Sequence, residues 1–320
     1  MIDHLIAMPL ETLSPAPEPW HYLVFGLRFL SDFAIAELLP ATSGPTADER
    51  TDVRIILEEI DHSRFGARRD DNHFVIQPEF FYLSVQDVAR YLVTGGNRIV
   101  IEARPAAKPD AINTFLLGSC CGALLFQRGL LPLHGSAVAT RTGAVLILGE
   151  SGAGKSTLAA NLNRHGFSLI SDDVCAIDCA AKPVIFPAYP QMKLTAASAT
   201  ALGMANEASG DFSAYEEKFH LRNPSFYPRS LPLVAIYLLE KSETGENTTE
   251  RQLHGTEKFV LLRNNVYRDF YIPEMKLDAQ VFQQCAAISA GCAVFQLSRP
   301  KAVPTFDSLA GFIRGRFAPP

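Results

Sequence analysis

The chain has 320 residues, 29 of them basic and 34 acidic, for a formal charge of −5 at pH 7. With 48% hydrophobic and 20% charged residues it reads as a globular chain long enough for one or two cored domains. The acidic balance argues against a broad nucleic-acid or anionic-membrane surface, and neither an unbroken apolar run of about 18 residues nor a signal-like opening is present.

Four prolines in residues 1–20 predict an irregular lead-in. Tyr22–Leu30 and Val53–Leu57 read as strands separated by the turn-rich Ala41–Thr51. Asn72–Ile76, Phe80–Val85 and Arg98–Glu102 continue the β pattern, with a short helix over Val85–Leu92 as an open alternative. Residues 1–105 therefore form a small β-rich module, and Pro105–Pro109 a linker into a second domain, 106–320. Ala111–Gln127 predicts a buried apolar helix. Leu133–Ala139 and Ala144–Leu148 predict strands joined by the turn Thr140–Gly143. Thr157–His165 reads as a helix ended by Gly166. Phe167–Ile170 then reads as a strand that delivers Ser171-Asp172-Asp173 to its end.

Further on, a short strand around Val184-Ile185-Phe186 precedes a helix over Leu194–Met204 and a long polar, aromatic loop over Gly210–Ser230. Leu233–Glu240 is a strand and Lys241–Gly255 an exposed connection. Helices follow at Lys258–Phe270 and Leu277–Ala290, a strand at Ala293–Leu297 and an amphipathic helix at Thr305–Arg314. The cysteines, Cys120, Cys121, Cys175, Cys179, Cys285 and Cys292, sit mostly in apolar surroundings. Cys175 and Cys179 lack a second ligand pair, so a reduced cytoplasmic protein without zinc is expected.

The most informative segment is Gly149-Glu150-Ser151-Gly152-Ala153-Gly154-Lys155-Ser156, between an apolar strand and a helix. Glycines at this spacing let successive backbone N–H groups converge on phosphate oxygens, at the favourable end of the helix dipole. Gly149, Ser151, Gly152, Ala153, Gly154, Lys155, Ser156 and Thr157 are the candidate nucleotide-binding residues. Lys155 suits the β- and γ-phosphates, and the Ser156 hydroxyl suits Mg²⁺. Asp172 and Asp173 follow a strand seventeen residues after Lys155, where an α/β sheet presents ligands. One carboxylate suits the metal and the other an incoming hydroxyl. His134, on the preceding strand, is a candidate partner for a carboxylate or phosphate. Lys193, Lys218, Arg222 and Arg229 offer cations to a transferring phosphoryl group.

Leu133-His134-Gly135-Ser136-Ala137-Val138, the loop Gly149–Thr157 and Ser171-Asp172-Asp173-Val174 resemble the bacterial HPr serine kinase/phosphorylase family in order and spacing, most strongly over about 113–190. Tyr22–Leu30 with Ser31-Asp32, and Phe126-Gln127-Arg128-Gly129 leading into His134, look closer to related kinases associated with lasso-peptide biosynthesis. The resemblance implies an α/β fold: a phosphoenolpyruvate-carboxykinase-like P-loop kinase domain behind a small N-terminal β-rich module. It also implies ATP and Mg²⁺, with Lys155 on phosphates, Ser156 and Asp173 at the metal, Asp172 accepting the hydroxyl proton, and His134 supporting Asp172. The namesake's glycine-rich dephosphorylation segment has no match in Pro187–Pro232, where Glu207, Glu216 and Glu217 lack a diagnostic context, so phosphorylase activity is not expected. The expected partner is a serine-bearing peptide or protein, a lasso precursor among them, with no nucleic acid and no membrane. The helical C-terminal third is a candidate homo-oligomer interface. A small-molecule hydroxyl kinase and a non-catalytic nucleotide-gated regulator are the alternatives.

Overall fold

Alternating apolar positions near the N-terminus build a seven-stranded sheet in the computed structural model, which describes residues 16, 18–41, 51–65, 72–204, 212–213, 218–222, 225–242, 247–300 and 306–320. Its strands are β1 (Trp20–Val24), β2 (Leu27–Ser31), β3 (Val53–Leu57), β4 (His73–Ile76), β5 (Phe80–Val85), β6 (Ala89–Thr94) and β7 (Arg98–Ala103), in the order β1-β2-β3-β7-β6-β5-β4. The single strand expected over Tyr22–Leu30 is instead a hairpin. Phe25 (φ 55°) and Gly26 (φ 72°) form a two-residue turn between Val24 and Leu27, with positive φ at both central positions. The helix considered over Val85–Leu92 is the turn into β6, antiparallel to β5. Most of the proline-rich lead-in lies outside the described residues.

The expected apolar helix runs from Pro109 to Gln127 as α1 (Pro109–Phe115), a π-helical turn over Leu116–Cys120, and α2 (Cys121–Gln127). Proline at its first position lacks only an N–H that the helix start leaves unpaired in any case. By length and mean hydropathy this helix could cross a membrane, but 78% of its most apolar 18-residue window is buried inside the protein. Gly118 and Gly122 leave room for the Tyr267 ring: a Cβ on Gly122 would sit 2.9 Å from Tyr267 Cε1.

The second sheet follows. Its elements in chain order are β8 (Leu131–Thr140), β9 (Gly143–Leu148), α3 (Lys155–Arg164), β10 (Leu169–Asp178) and β11 (Val184–Ile185). A small antiparallel sheet comes next, from β12 (Gln191–Leu194), β13 (Phe212–Ser213) and β14 (Lys218–Arg222), with the short helix α4 (Ala196–Ala201) after β12. The chain then continues through β15 (Leu231–Ser242), β16 (Thr249–Gln252), α5 (Thr256–Asn264), α6 (Tyr271–Glu274), α7 (Asp278–Gly291), β17 (Ala293–Pro300) and α8 (Phe306–Arg316). The seven strands are ordered β11-β10-β8-β9-β15-β17-β16, and β9, β15 and β17 are mutually parallel at its centre. The architecture is mixed α/β, with two large sheets and several helices.

Four sequence expectations change here. β10 does not end at the acidic pair but carries it mid-strand, paired with β8 from Leu169 to Ile177. β15 extends to Ser242, and the segment expected as an exposed connection contains β16, paired with β17. Part of the loop expected over Gly210–Ser230 is strand: β14 pairs with both β12 and β13, the rest of 205–217 lying outside the described residues. The helix expected over Lys258–Phe270 stops at Asn264, because the next residues cross β8: Val266 bridges Leu133, and Tyr267 N–H donates to Pro132 O at 2.9 Å.

One apolar cluster joins side chains of the first sheet, such as Phe29, Val53 and Tyr91, to Leu124 of α2 and to Leu133 and Cys175 of the second sheet. The β1–β2 turn contributes directly. Phe25 N–H donates to Pro187 O at 2.8 Å, and a Cβ on Gly26 would lie 2.5 Å from the Phe186 ring. Gly26→Ala must therefore both strain a positive-φ position and displace an aromatic ring. The expected loss is about 1–3 kcal/mol of folding stability, read by urea unfolding. An unchanged midpoint would show that this turn does not dock on the second sheet.

Candidate active site

The glycine-rich turn leaves β9 at Leu148 and enters α3 at Lys155. Gly149 (φ 142°), Gly152 (φ 76°) and Gly154 (φ 106°) adopt conformations that side-chain-bearing residues rarely reach. At Gly149 even a methyl group would lie 2.4 Å from Leu239 O. The turn is held from three sides. Lys155 Nζ folds back and donates to Gly149 O (2.8 Å) and Glu150 O (3.1 Å). Gly149 N–H donates to Asn265 Oδ1 at 3.1 Å. Buried Arg299, its guanidinium 5.7 Å from the Phe306 ring, donates to Ala153 O from Nε (3.3 Å) and from a terminal nitrogen (3.1 Å). Ser151 is exposed and Ser156 half-buried at the helix start. Thr157, expected beside them, directs its hydroxyl to Ser198 Oγ of α4 (2.9 Å), so that side chain is committed away from the turn.

The two acids sit opposite β8: Asp172 faces Ser136 in the register and Asp173 faces Gly135. Neighbouring strand residues normally point to opposite faces. Asp173 breaks that alternation with φ 75°, and both carboxylates reach Lys193 of β12. Asp172 Oδ1 accepts from Ser136 Oγ (2.5 Å) and Ser156 Oγ (2.9 Å), and Oδ2 accepts from Lys193 N–H (2.9 Å). Asp173 Oδ2 pairs with Lys193 Nζ at 3.0 Å, and Oδ1 lies 3.3 Å from His134 Nδ1.

These contacts pair the residues differently from the arrangement that the resemblance implies. Ser156 is joined to Asp172 rather than to Asp173, and His134 meets Asp173 rather than Asp172. The positive φ is the physical reason: it turns the Asp173 carboxylate toward β8 and leaves Asp172 beneath the start of α3. Burial pushes the Asp172 carboxyl above its ordinary range, against the pull of its three hydrogen bonds. Burial would also raise Asp173, but the Lys193 ammonium and then His134 overcome it and hold that carboxyl far below the usual range.

A cavity of about 840 Å³ opens beside the turn. Gly149–Ser151 and Ala153 line one side, Glu240 and Lys241 another, and His134, Asn265, Tyr267 and Arg268 a third. The sequence reading did not single out Ser136, Lys241, Asn265, Tyr267, Arg268 or Arg299. Ser136 stands within the run Leu133–Val138 that flags this region, and its place two residues after His134 is the one local signal available. The others arrive from segments more than 80 positions beyond the glycine-rich turn. Of the cations expected near a phosphoryl group, Lys193 is at the site. Arg229 is exposed. Lys218 and Arg222 lie on β14, which pairs with β12, and their side chains are outside the described residues, as are Glu207, Glu216 and Glu217. Among the described residues no group of three His, Cys, Asp or Glu side chains forms a metal cluster, and all six cysteines are free.

No protein-family model and no curated protein matches this chain. A solved structure of the HPr(Ser) kinase/phosphatase from Coxiella burnetii shows a weak, distant similarity, spanning 57% of this chain and 91% of that one at 14% identity and a TM-score of 0.30.

Lys193 is 8% exposed and Asp173 17%, so neutralising the carboxylate removes a charge partner from a largely buried ammonium. Asp173→Asn is expected to cost about 3 kcal/mol at pH 7. Because the folded Asp173 carboxyl lies below its unfolded value of about 3.9, its contribution is complete above that pH and is lost as pH falls below it. The stability gap between wild type and Asp173→Asn should therefore narrow progressively below pH 4. Denaturant titrations across that range read it, and a gap that widens in acid would refute the pairing.

Proposed function

We propose that this protein is an ATP- and Mg²⁺-dependent kinase that phosphorylates a hydroxyl group, built on a carboxykinase-like P-loop arrangement. One observation carries the reading: Lys155, Ser156 and Asp172 at the glycine-rich turn stand next to the Asp173–His134 pair, and His134 lines one cavity together with Gly149–Ser151 of that turn. The first group suits holding and neutralising the phosphates, and the second suits orienting an incoming hydroxyl and taking its proton.

The residues present fit the two absent groups. Three positive-φ glycines, the start of α3 and a lysine now resting on backbone carbonyls suit a triphosphate tail. Magnesium prefers oxygen donors and is commonly bound by one or two protein ligands together with substrate phosphates, so the Ser156 hydroxyl and Asp172 suffice without a larger cluster. Together they supply a transferable phosphoryl group with its charge neutralised. In this reading Lys155 exchanges its carbonyl contacts for phosphate oxygens. Asp172, with its oxygens already accepting three hydrogen bonds, positions Ser156. Asp173 holds the Nδ1–H tautomer of His134, which leaves Nε2 to accept the proton of the incoming hydroxyl. His134 is the member of the pair that lines the cavity. The first acceptors to try are serine-bearing peptides, lasso precursors included, because the sequence resemblance points there, followed by small hydroxyl compounds.

Incubation with labelled ATP, Mg²⁺ and such a panel, followed by mass analysis, tests the reading. Asp172→Asn should still bind nucleotide while transfer drops by about 100-fold or more. His134→Gln should lower kcat by about 100-fold with the nucleotide dissociation constant unchanged. A protein that binds ATP, modifies nothing and keeps its biological activity as Asp172→Asn would instead be a nucleotide-gated regulator.

A further inference from the structure

Arg268 lines the same cavity, and nothing in the preceding account uses it. Its φ of 48° is unusual for a residue with a side chain, and such backbone persists only where the surroundings enforce it. Here they do. His134 N–H donates to Asn265 O at 2.8 Å, Tyr267 N–H donates to Pro132 O at 2.9 Å, and Tyr271 N–H donates to Arg268 O at 2.9 Å. The guanidinium is thereby laid over the Tyr267 ring, 5.5 Å from its centroid, with Nε 3.4 Å from Tyr267 Oη.

Among the described residues no carboxylate is in ion-pair contact with Arg268, although the Asp173 charge acts on it, whereas nearby Arg263 faces Asp269 at 3.7 Å. The other cations of the site are placed differently. Lys155 rests on the glycine-rich turn, Lys193 is bound to Asp173, and Lys241 reaches toward Gly152 on the phosphate side. Arg268 stands on the opposite side, where the Tyr267 ring lies 6.0 Å from that of His134. A planar guanidinium held against an aromatic ring, on a residue that lines the cavity, matches the paired oxygens of a carboxylate or phosphate.

Resting on the kinase reading above, we propose that Arg268 is the specificity-determining cation for the acceptor, which carries a carboxylate or phosphate close to the hydroxyl that is phosphorylated. The probes are serine peptides and small hydroxy acids, each in carboxylate, phosphate and neutral carboxamide forms. With full-length protein, Mg²⁺ and a non-hydrolysable ATP analogue, at least one anionic form should bind about 10- to 100-fold more tightly than its carboxamide. Whether the carboxylate or the phosphate form wins identifies the anion. Arg268→Gln should abolish that preference and Arg268→Lys should restore part of it. The affinity for the analogue should change by less than about twofold, which also reports that the variants are folded. In turnover, Arg268→Gln should raise the acceptor KM with little change in the KM for ATP. Equal binding of anionic and neutral forms overturns the proposal, as does a loss confined to the nucleotide. Selective binding of an anionic form without transfer would instead leave the Arg268 site standing and reject the kinase reading.

Discussion

Two adjacent carboxylates share one largely buried site, and Lys193 makes that arrangement tolerable. Its backbone N–H satisfies Asp172 and its ammonium neutralises Asp173, so a single residue addresses both acids through different atoms. Burying a carboxylate is costly unless it is paired or hydrogen-bonded, and two in sequence repel each other as well. The geometry therefore depends on β12 lying against β10. The chain secures this by short local contacts: Ala188 N–H donates to Ile170 O at 2.9 Å, just before β12 begins. On the far side of the small sheet, Tyr227 N–H returns to Leu169 O at 2.8 Å. β10 is thus fastened to the small sheet both before and after β12 and β14.

Sheet direction then sets which ends meet. β9, β15 and β17 run parallel, so Leu148, Lys241 and Arg299 reach the same edge of the sheet. β8 is antiparallel to β9, which brings its early residues His134 and Ser136 to that edge, while β10 returns with the acidic pair at the same level. Open α/β sheets commonly present ligands beyond the carboxyl ends of their parallel strands. The antiparallel β8 adds something a purely parallel sheet lacks. It supplies side chains to the edge from the beginning of a strand as well as from strand ends.

Features governed by neighbours in sequence were legible in advance. The strand-turn-helix around Gly149–Ser156 could be read because glycine spacing, an apolar run and a helical composition all occur within about twenty residues. The apolar positions of β3, β5 and β7 likewise announced themselves by pattern. Phe25-Gly26 was missed as a turn because apolar residues flank it on both sides, giving one continuous β-like run. The conformation of Asp173 has no local signature at all: tertiary contacts to Lys193 and His134 hold an aspartate where φ is positive. The same holds for residues 265–268. Their composition continues the helix of α5, and only the hydrogen bonds to Pro132 and His134 pull them across β8. Chain partners more than a hundred residues apart decide that geometry.

Asn265 explains why this crossing segment matters to the turn as well as to the cavity. Its carbonyl accepts from His134 N–H, its side-chain oxygen accepts from Gly149 N–H, and its side-chain nitrogen donates to Leu261 O. One residue thereby ties the end of α5 to both the histidine strand and the first residue of the glycine-rich turn. Any displacement of the turn on filling must be felt at Asn265, and two and three residues later the chain presents Tyr267 and Arg268. The two sides of the cavity are therefore joined mechanically by the backbone as well as electrostatically through the acidic pair. In a close-packed interior such a connection transmits small shifts rather than absorbing them. The glycine-rich turn and the opposite wall are, on this architecture, parts of one hydrogen-bonded unit.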